Sequence, residues 1–365
     1  MTGSKGPSTF ITFNRGIRMR ALCKTEPVEG GIALRDVEPL DPGPDDIRIR
    51  TKAAGICGTD MQIYYWAPRM ARRMKLPRVL GHEVSGVVDV IGANVDNLTV
   101  GDHVSLESHI FCGECRPCIM GKAHLCMATT YPGIDINGAF ADYLTVPSRI
   151  AWVNPPDLPH EIAAMLEPFG IAVHASLEGS GVAGQTVLVN GCGPIGLMNI
   201  AAARAFSAKT IIAGDLNPLR LKTAETMGAD RAVNAGEEDL PAIVTDMTGG
   251  NGVDVAIEYS GSEAGFQAAF ACLAKGGDFR LVGAPPAAIP VDFTQWLLKC
   301  PVMHNIHGRR VWDSWRRSTQ LIYNNKIDLS PIRSHVLPLS DAVRGFELIK
   351  NGEAVKPLLV PDSEL

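Results

Sequence analysis

The chain has 365 residues, of which 46% are hydrophobic and 20% are charged, and its formal net charge is −5. This length suggests two or three globular domains, and the balance of residue types is that of an ordinary folded protein. The negative charge argues against nucleic acid and anionic membranes as partners. No segment has the ~20 consecutive apolar residues that a membrane-spanning helix requires.

The N-terminal segment "MTGSKGPSTFITFNRGIRMRALCK" contains no acidic residue before Glu26. Its apolar piece "FITF" is shorter than the ~7–15 residues of a secretion-signal core. A weak organelle-targeting segment is one interpretation, but we favour a disordered leader over residues 1–18. The default compartment is then the cytoplasm, where thiols stay reduced.

Three regions of the chain differ in pattern. Residues 20 to about 165 contain short β-branched runs such as "DIRIRTKAAGICG" and "VSGVVDVIG", which predict a barrel-like or mixed β domain. Residues 168 to about 310 alternate strand-like runs ("TVLVNG", "TIIAGD", "VDVAIEYSG", "FRLVGA") with helix-like runs ("PIGLMNIAAARAF", "PLRLKTAETMGA", "EAGFQAAFACLAKGG"). This alternation predicts an α/β fold with a doubly wound parallel sheet and helices on both faces. Residues 311–365 return to a mixed pattern and end in the strand-like "VKPLLVP".

A glycine-rich loop follows the strand-like run "QTVLVN" and precedes an alanine-rich helix. Its pattern is G-x-G-x-x-G, formed by Gly191, Gly193, Pro194, Ile195 and Gly196 around Cys192. The pattern alone is weak, and the glycines could serve only a tight strand–helix turn. Its position between strand and helix favours a dinucleotide site, with the helix N-terminus facing the phosphates.

An acidic residue lies where such a site needs one. Asp215 ends the next strand-like run, nineteen residues beyond Gly196. A carboxylate there accepts hydrogen bonds from the adenosine ribose and repels the extra phosphate of NADP. Arg220 is close enough in sequence to flank the adenosine. We therefore predict NAD as the cofactor.

Four cysteines fall within fifteen positions in "CGECRPCIMGKAHLC", namely Cys112, Cys115, Cys118 and Cys126. Two-residue gaps allow thiolates to converge on one ion, and structural zinc sites commonly use four sulfurs. A reduced compartment disfavours disulfides. An iron–sulfur or redox centre remains an alternative, although Met127 stands where a ferredoxin run has proline. A structural zinc site is the favoured prediction.

A second, dispersed set of metal-binding side chains comprises Cys57 in "GICGTD", His82 and Glu83 in "GHE", and Glu167 in "MLEPFG". Mixed sulfur, nitrogen and oxygen ligands with one replaceable position suit a catalytic zinc ion. From the spacing alone this prediction is only suggestive, because a lone Cys or His is more often a core or surface residue.

The segments "GICGTD", "GHEVSGVV", "VGDHVSLESHIFCGECRPCIMGKAHLC", "GAFADYLTVP", "EPFGIAVHA" and "GCGPIGL" together resemble the zinc-containing medium-chain alcohol dehydrogenases. The resemblance covers about residues 19–360. It implies a catalytic domain with a GroES-like β-barrel (residues 19–167 and 311–365), a Rossmann domain (residues 168–310) and an active site in the cleft between them.

The resemblance also implies roles for individual residues. Cys57 and His82 match catalytic zinc ligands, Glu167 matches the third or exchangeable ligand, and Glu83 matches a ligand or near-ligand carboxylate. Asp60 resembles the carboxylate that orients the zinc-bound imidazole. Two zinc ions per chain are therefore expected, one catalytic and one structural. Thr59 is expected to accept the proton of the substrate hydroxyl while hydride passes from the carbinol carbon to NAD.

Within this family the chain most resembles the L-threonine 3-dehydrogenases, through the run around Glu107 and His109, through "YYW", and through the block that begins "HGRRVWDSW". His109 matches a residue that shapes substrate choice. The expected substrate is therefore a small alcohol, either L-threonine or a related 3-hydroxy amino acid, and the expected assembly is a homotetramer. A polyol or sugar-acid dehydrogenase is the alternative within the family, and a catalytically silent NAD-binding zinc protein is the alternative outside it.

Two departures from the family pattern fall near the expected active site. Gln62 stands where a histidine is usual, and glutamine does not titrate near neutral pH. The following segment "APRMARRMKLPR" is strongly basic where acidic character is usual. These arginines could bind an anionic substrate group, or they could form a solvated basic face, which is the commoner outcome.

Overall fold

Residues 18–364 are described by the computed structural model, so that residues 1–17 of the predicted leader lie outside the described residues. Among the described residues, no helix combines the length and the apolar character needed to cross a membrane. Two large sheets and a small one organise the chain.

The sheet nearest the N-terminus has three strands in the order β2-β1-β4, and a larger, mainly antiparallel sheet has the order β15-β16-β3-β5-β6-β8, with β7 also paired to β3. The strands of these two sheets are β1 Met19–Lys24, β2 Ile32–Val37, β3 Asp46–Gly55, β4 Arg78–Val79, β5 Glu83–Ile91, β6 His103–Leu106, β7 Tyr143–Pro147, β8 Ala151–Val153, β15 Arg333–Pro338 and β16 Lys356–Val360. The last two strands come from the end of the chain, which therefore returns to the first half of the structure.

The second large sheet is parallel throughout and has the order β11-β10-β9-β12-β13-β14. Its strands are β9 Thr186–Asn190, β10 Thr210–Asp215, β11 Arg231–Asn234, β12 Val253–Glu258, β13 Leu273–Leu281 and β14 Val302–Asn305. This is the doubly wound order of dinucleotide-binding folds, in which ligands bind where the order reverses, here between β9 and β12.

Twelve α-helices lie within residues 18–364. They are α1 Gly58–Tyr64, α2 Pro68–Ala71, α3 Arg116–Ile119, α4 His160–Ala163, α5 Leu166–Leu177, α6 Pro194–Ala205, α7 Pro218–Thr226, α8 Leu240–Met247, α9 Glu263–Cys272, α10 Phe293–Lys299, α11 Asp313–Tyr323 and α12 Ala342–Lys350.

Both faces of the parallel sheet are buried. Val187 and Val189 of β9 join a core cluster that includes Trp315 of α11, whereas Leu188 joins a separate cluster on the other face that includes Phe266 of α9. Successive strand residues point to opposite faces, so a strand covered on both sides must be apolar throughout. This confirms the prediction of a doubly wound sheet with helices on both faces.

One predicted helix is too long. The run "EAGFQAAFACLAKGG" was expected to be helical throughout, but α9 ends at Cys272 and β13 begins at Leu273. Leu273 and residues 278–281 pair with β12 in parallel, and the register shifts between them. Pairing of Leu273 in the sheet therefore ends the helix, against the local helical preference of Leu-Ala-Lys.

Two histidines hold α4 against the antiparallel sheet near Glu83. Ser85 Oγ lies 2.8 Å from His103 Nε2 and 2.8 Å from His160 Nδ1. His103 Nδ1 lies 3.1 Å from the carbonyl oxygen of Pro155, which can only accept a hydrogen bond. His103 Nδ1 is therefore the donor, Ser85 donates to the neutral Nε2, and His160 donates to Ser85. Burial lowers the pKa of both histidines, and for His160 burial, with the repulsion that a protonated His103 would exert, brings the pKa to about 4.

This pair predicts an acid-sensitive contribution to stability. Because the folded pKa values lie below that of a free imidazole, the unfolded chain binds more protons below about pH 6.5. The contribution is complete above that pH and is lost as the pH falls toward 4. We expect His160→Gln to reduce the decline in the free energy of unfolding between pH 7.5 and 5.0, measured by urea titration. The other acid-sensitive groups are the same in both proteins, so equal declines would contradict the assignment.

Candidate active site

The register of two strands brings three metal-binding side chains together. Gly55, near the end of β3, pairs with Glu83 at the start of β5. Cys57 lies two residues beyond the end of β3, and His82 directly precedes β5, so residues 25 positions apart in sequence meet at one end of the sheet. One donor atom from each of Cys57, His82 and Glu83 lies within 4.8 Å of the others.

The charges and unsatisfied atoms of this cluster suit a bound cation. His82 Nδ1 and Asp60 Oδ1 are 3.8 Å apart, and both are buried without a hydrogen-bond partner. Burial lowers the pKa of His82, but the negative charges of Asp60, Cys57 and Glu167 outweigh it and raise the pKa to about 10. The cluster thus favours positive charge, and its sulfur, nitrogen and oxygen donors are the ligand types of a catalytic zinc site.

A buried lysine partners one of the predicted ligands. Lys356, at the start of β16, forms an ion pair with Glu83, and its Nζ donates to the carbonyl oxygen of Ile56 at 3.0 Å. Both charged side chains are almost completely buried. Gly55 leaves the space for them, since a Cβ there would collide with Glu83 and Lys356. Sequence reasoning missed Lys356, because nothing local marks a lysine that follows a turn as buried.

Glu167 lies in a different environment from Glu83. Its Oε1 accepts hydrogen bonds from Arg309 Nη1 at 2.7 Å and from Ser108 Oγ at 2.5 Å. The donor atoms that converge with those of Cys57 and His82 include Glu83 but not Glu167. In this geometry the two carboxylates expected near the metal are each held by a different buried cation.

Arg309 is the centre of a buried polar network that sequence reasoning also missed. Its Nε donates to Glu107 Oε2 at 2.9 Å and its Nη2 to Ser108 Oγ at 2.9 Å. Trp315 Nε1 donates to Glu107 Oε2 at 2.6 Å, and the His109 backbone N–H donates to Glu107 Oε1 at 2.9 Å. The network joins the segment after β6 to the segments after β14 and in α11. Burial raises the pKa of Glu107, but the Arg309 guanidinium outweighs it and holds that pKa far below its usual range.

A cavity of about 260 Å³ opens among these groups. All six predicted catalytic side chains line it, namely Cys57, Thr59, His82, Glu83, His109 and Glu167. Gln62 lines it as well, and Ile195, Val282 and Ala284 border it from the side of the parallel sheet. The cavity therefore touches the first turn of the helix that follows the glycine-rich loop.

The glycine-rich loop lies at the switch point of the parallel sheet. Gly191 has a φ of +100°, which favours glycine, and Gly193 caps the start of α6 with open space around its Cα. A Cβ on Gly196 would collide with the carbonyl oxygen of Gly191, so only glycine allows this approach of helix and loop. These features leave exposed backbone N–H groups at a helix N-terminus, as a pyrophosphate requires.

Asp215 lies beside that loop. Its Oδ2 accepts from the Cys192 N–H at 2.6 Å, and its Oδ1 accepts from the N–H groups of Leu216 and Asn217 at 2.8 Å each. Since a carboxylate can accept about four hydrogen bonds, capacity remains for a ribose hydroxyl. Arg220, in α7, has a buried Nε without a hydrogen-bond partner. Both residues fit a bound dinucleotide.

The four clustered cysteines form a second metal-binding geometry. The Sγ–Sγ distances are 3.5 Å for Cys115–Cys118, 3.8 Å for Cys115–Cys126 and 3.5 Å for Cys112–Cys126. All four thiols are free, and these distances are close to the ~3.8 Å edge of a tetrahedron with Zn–S bonds of ~2.3 Å. Burial raises the pKa of Cys126, but the N–H groups of Cys112 and Ala128 outweigh it and lower it to about 6. The cluster thus fits a closed tetrathiolate zinc site.

Comparison with known proteins defines the class. Residues 43–157 match the alcohol dehydrogenase GroES-like domain, and residues 194–324 match the zinc-binding dehydrogenase domain. The chain is 42% identical to an L-threonine 3-dehydrogenase from Bacillus subtilis over 345 residues, which covers 94% of this chain and 99% of the relative. It is 39% identical to one from Thermococcus kodakarensis, over 94% of this chain and 98% of the relative.

Comparison with solved structures finds the same class of protein. An alcohol dehydrogenase from Thermus sp. ATN1 has a TM-score of 0.87 at 31% identity, covering 94% of this chain and 99% of that one. A 2R,3R-butanediol dehydrogenase from Bacillus subtilis has a TM-score of 0.85 at 28% identity, covering 94% and 100%. The chain therefore belongs to the zinc-binding, medium-chain alcohol dehydrogenase family, which confirms the family and the fold class predicted from sequence.

The buried network predicts an unequal response to two arginine substitutions. Arg309→Met leaves Glu107 and Glu167 buried without their cation, so we expect the free energy of unfolding to fall by about 3–5 kcal/mol. Arg316→Met removes only an exposed ion pair with Asp313, in which the charged atoms are 3.6 Å apart. This substitution should change the free energy of unfolding by less than about 0.5 kcal/mol. Denaturant titration of both variants tests this. Equal losses would show that Arg309 is not an anchor of the fold.

Proposed function

We propose that this protein is an NAD-dependent zinc alcohol dehydrogenase that oxidises the secondary hydroxyl of L-threonine or a closely related 3-hydroxy amino acid. The observation that carries the proposal is the single cavity that Cys57, Thr59, His82 and His109 share with Ile195 of the dinucleotide loop. The names of the two relatives above support threonine as the substrate.

The metal assignments follow from the donor sets. Cys57 and His82, with Glu83 or Glu167, would hold a catalytic zinc ion, and Cys112, Cys115, Cys118 and Cys126 would hold a structural one. A zinc ion in the first site would supply Lewis acidity that lowers the pKa of a substrate hydroxyl. Asp60 Oδ1, 3.8 Å from His82 Nδ1, is placed to orient the His82 ring, and the cation paired with each carboxylate limits the negative charge in the cavity.

The protein's own side chains position the substrate and carry its proton. Thr59 Oγ1, at the start of α1, accepts the hydroxyl proton and passes it outward. Gln62 lies one turn further along and can relay hydrogen bonds without changing charge. His109 borders the opposite part of the cavity, and its ring packs at 5.0 Å from Tyr131. NAD held at the loop of Gly191, Gly193 and Gly196 would supply the nicotinamide that accepts a hydride from the carbinol carbon as the hydroxyl becomes a carbonyl.

NAD is the proposed cofactor, with Gly191, Gly193, Pro194, Ile195 and Gly196 at the pyrophosphate. Asp215 supports this choice, because a carboxylate beside the adenosine ribose repels the phosphate of NADP. Arg220 would flank the adenosine.

We propose the division into domains that the family resemblance implies, with residues 19–167 and 311–365 forming the catalytic domain and residues 168–310 the Rossmann domain. The pairing of β15 and β16 with β3 supports the return of the chain to the first domain. A cytoplasmic location is also proposed, consistent with nine free cysteines.

A homotetramer is the proposed assembly. Support comes from an apolar surface on α10 and β14, where Phe293, Leu297, Leu298, Val302 and Met303 are all exposed, Phe293 by 80%. β14 is the end strand of the parallel sheet, with an unpaired edge within the described chain. An exposed edge beside apolar side chains is a common contact between subunits.

The substrate is tested by NADH formation with L-threonine, sorbitol, gluconate and 2,3-butanediol. We expect the highest kcat/KM for L-threonine, whereas a preference for the polyol or the sugar acid would favour the alternative dehydrogenase.

Cys57→Ala should abolish turnover and remove one of two zinc ions per chain, and NADH binding measured by fluorescence should remain. Cys118→Ser should lower the zinc content through the other site. Near-native turnover by Cys57→Ala would contradict the mechanism.

The assembly is tested by sedimentation of Leu297→Glu. A buried charge at the proposed contact should shift the protein from tetramer to smaller species, because an unpaired carboxylate is costly to desolvate. Val343→Glu, at an exposed valine of α12, is the matched control and should leave the tetramer intact. A tetramer that persists in Leu297→Glu would exclude this surface as a contact.

A further inference from the structure

The basic segment that follows α1 does not act as one surface. Arg73 donates two hydrogen bonds to Asp135, at 2.8 and 2.7 Å, and its guanidinium lies 4.9 Å from the Tyr131 ring centroid. Arg78 donates to Asn137 Oδ1 at 3.3 Å. Arg69 and Arg72 are both exposed, but only Arg69 lines the cavity.

Arg69 differs from the other cations at the cavity in having no acidic partner. The carboxylate of Glu83 is paired with Lys356, that of Glu167 with Arg309, and Arg73 is paired with Asp135. Within residues 18–364, Arg69 has no carboxylate within ion-pair distance. Among the arginines that line the cavity, Arg69 is therefore the one whose charge no carboxylate of the described residues neutralises.

The charge of Arg69 is felt inside the cavity. His307, which also lines it, has a lowered pKa because of burial first, then the charge of His109, and then that of Arg69. Arg69 is open to solvent and also lines the cavity beside His307. Arg69 and Cys57 both line this cavity of about 260 Å³.

We propose that Arg69 binds the carboxylate of the substrate and makes the enzyme selective for hydroxy acids, including hydroxy amino acids, over neutral alcohols. A guanidinium presents parallel N–H groups that match a carboxylate in a bidentate pair, which is stronger than a hydrogen bond between neutral groups. The proposal rests on the proposed function, because it takes the reacting hydroxyl to lie beside Cys57 and His82 and the carboxylate at the other end of the molecule.

The test compares L-threonine with L-threoninamide, in which a neutral amide replaces the carboxylate. Arg69→Gln should raise KM for L-threonine about 10- to 100-fold and leave kcat nearly unchanged, because the pair is made in both ground state and transition state. KM for L-threoninamide should change little. Arg69→Lys should restore part of the affinity as a point charge, and Arg72→Gln, the matched control on the same segment, should behave as the unmodified protein.

A calorimetric titration of the NADH-bound enzyme with L-threonine supplies a readout that does not depend on turnover. Weaker binding to Arg69→Gln supports the proposal even if another alcohol proves to be the better substrate. Unchanged KM and binding in Arg69→Gln, an equal effect on the amide, or an equal effect of Arg72→Gln would overturn it while leaving the dehydrogenase activity intact. If the unmodified protein neither binds nor oxidises L-threonine or gluconate, both the proposed substrate class and the role of Arg69 are wrong.

Discussion

The pairing of Arg309 with Glu107 and Glu167 is the constraint on which the arrangement of the cavity depends. The three charged groups are almost completely buried, and they come from segments that follow β6, begin α5 and follow β14. A buried charge is tolerated only when it is paired and hydrogen-bonded, so these segments must meet in one geometry. That geometry brings His109 and Glu167 to the cavity.

The same principle organises the charges around the predicted zinc ligands. Negative charge is concentrated near the end of β3 and the start of β5, on Cys57, Asp60, Glu83 and Glu167. The positive charges of Lys356 and Arg309 offset part of it. The remaining negative potential at His82 is what a divalent cation would neutralise. Arg69 adds a positive charge to the lining of the same cavity, and this charge is the basis of the carboxylate site proposed above.

The tetrathiolate cluster and the dinucleotide loop are more local features. The four cysteines span fifteen residues, and turns between Cys112 and Cys126 place their sulfurs 3.5–3.8 Å apart, with little help from distant segments. The loop after β9 likewise depends on glycines at which a side chain would collide or strain the backbone. Both could therefore be predicted from spacing, and the parallel strands could be predicted from their continuous apolar runs.

By itself the sequence determined the class of fold, the glycine-rich loop, the cysteine cluster and the set of predicted catalytic side chains that line the cavity, because these depend on local spacing, on apolar periodicity or on family resemblance. Only the tertiary structure decided where α9 ends, since Leu273 is drawn into β13 by its partner strand. It also decided that Glu83 and not Glu167 converges with Cys57 and His82, and that Lys356 and Arg309 are buried partners of these carboxylates. The basic run was ambiguous for the same reason. Which arginine is neutralised depends on residues far away in sequence. Asp135 pairs with Arg73, whereas no carboxylate within residues 18–364 lies within ion-pair distance of Arg69.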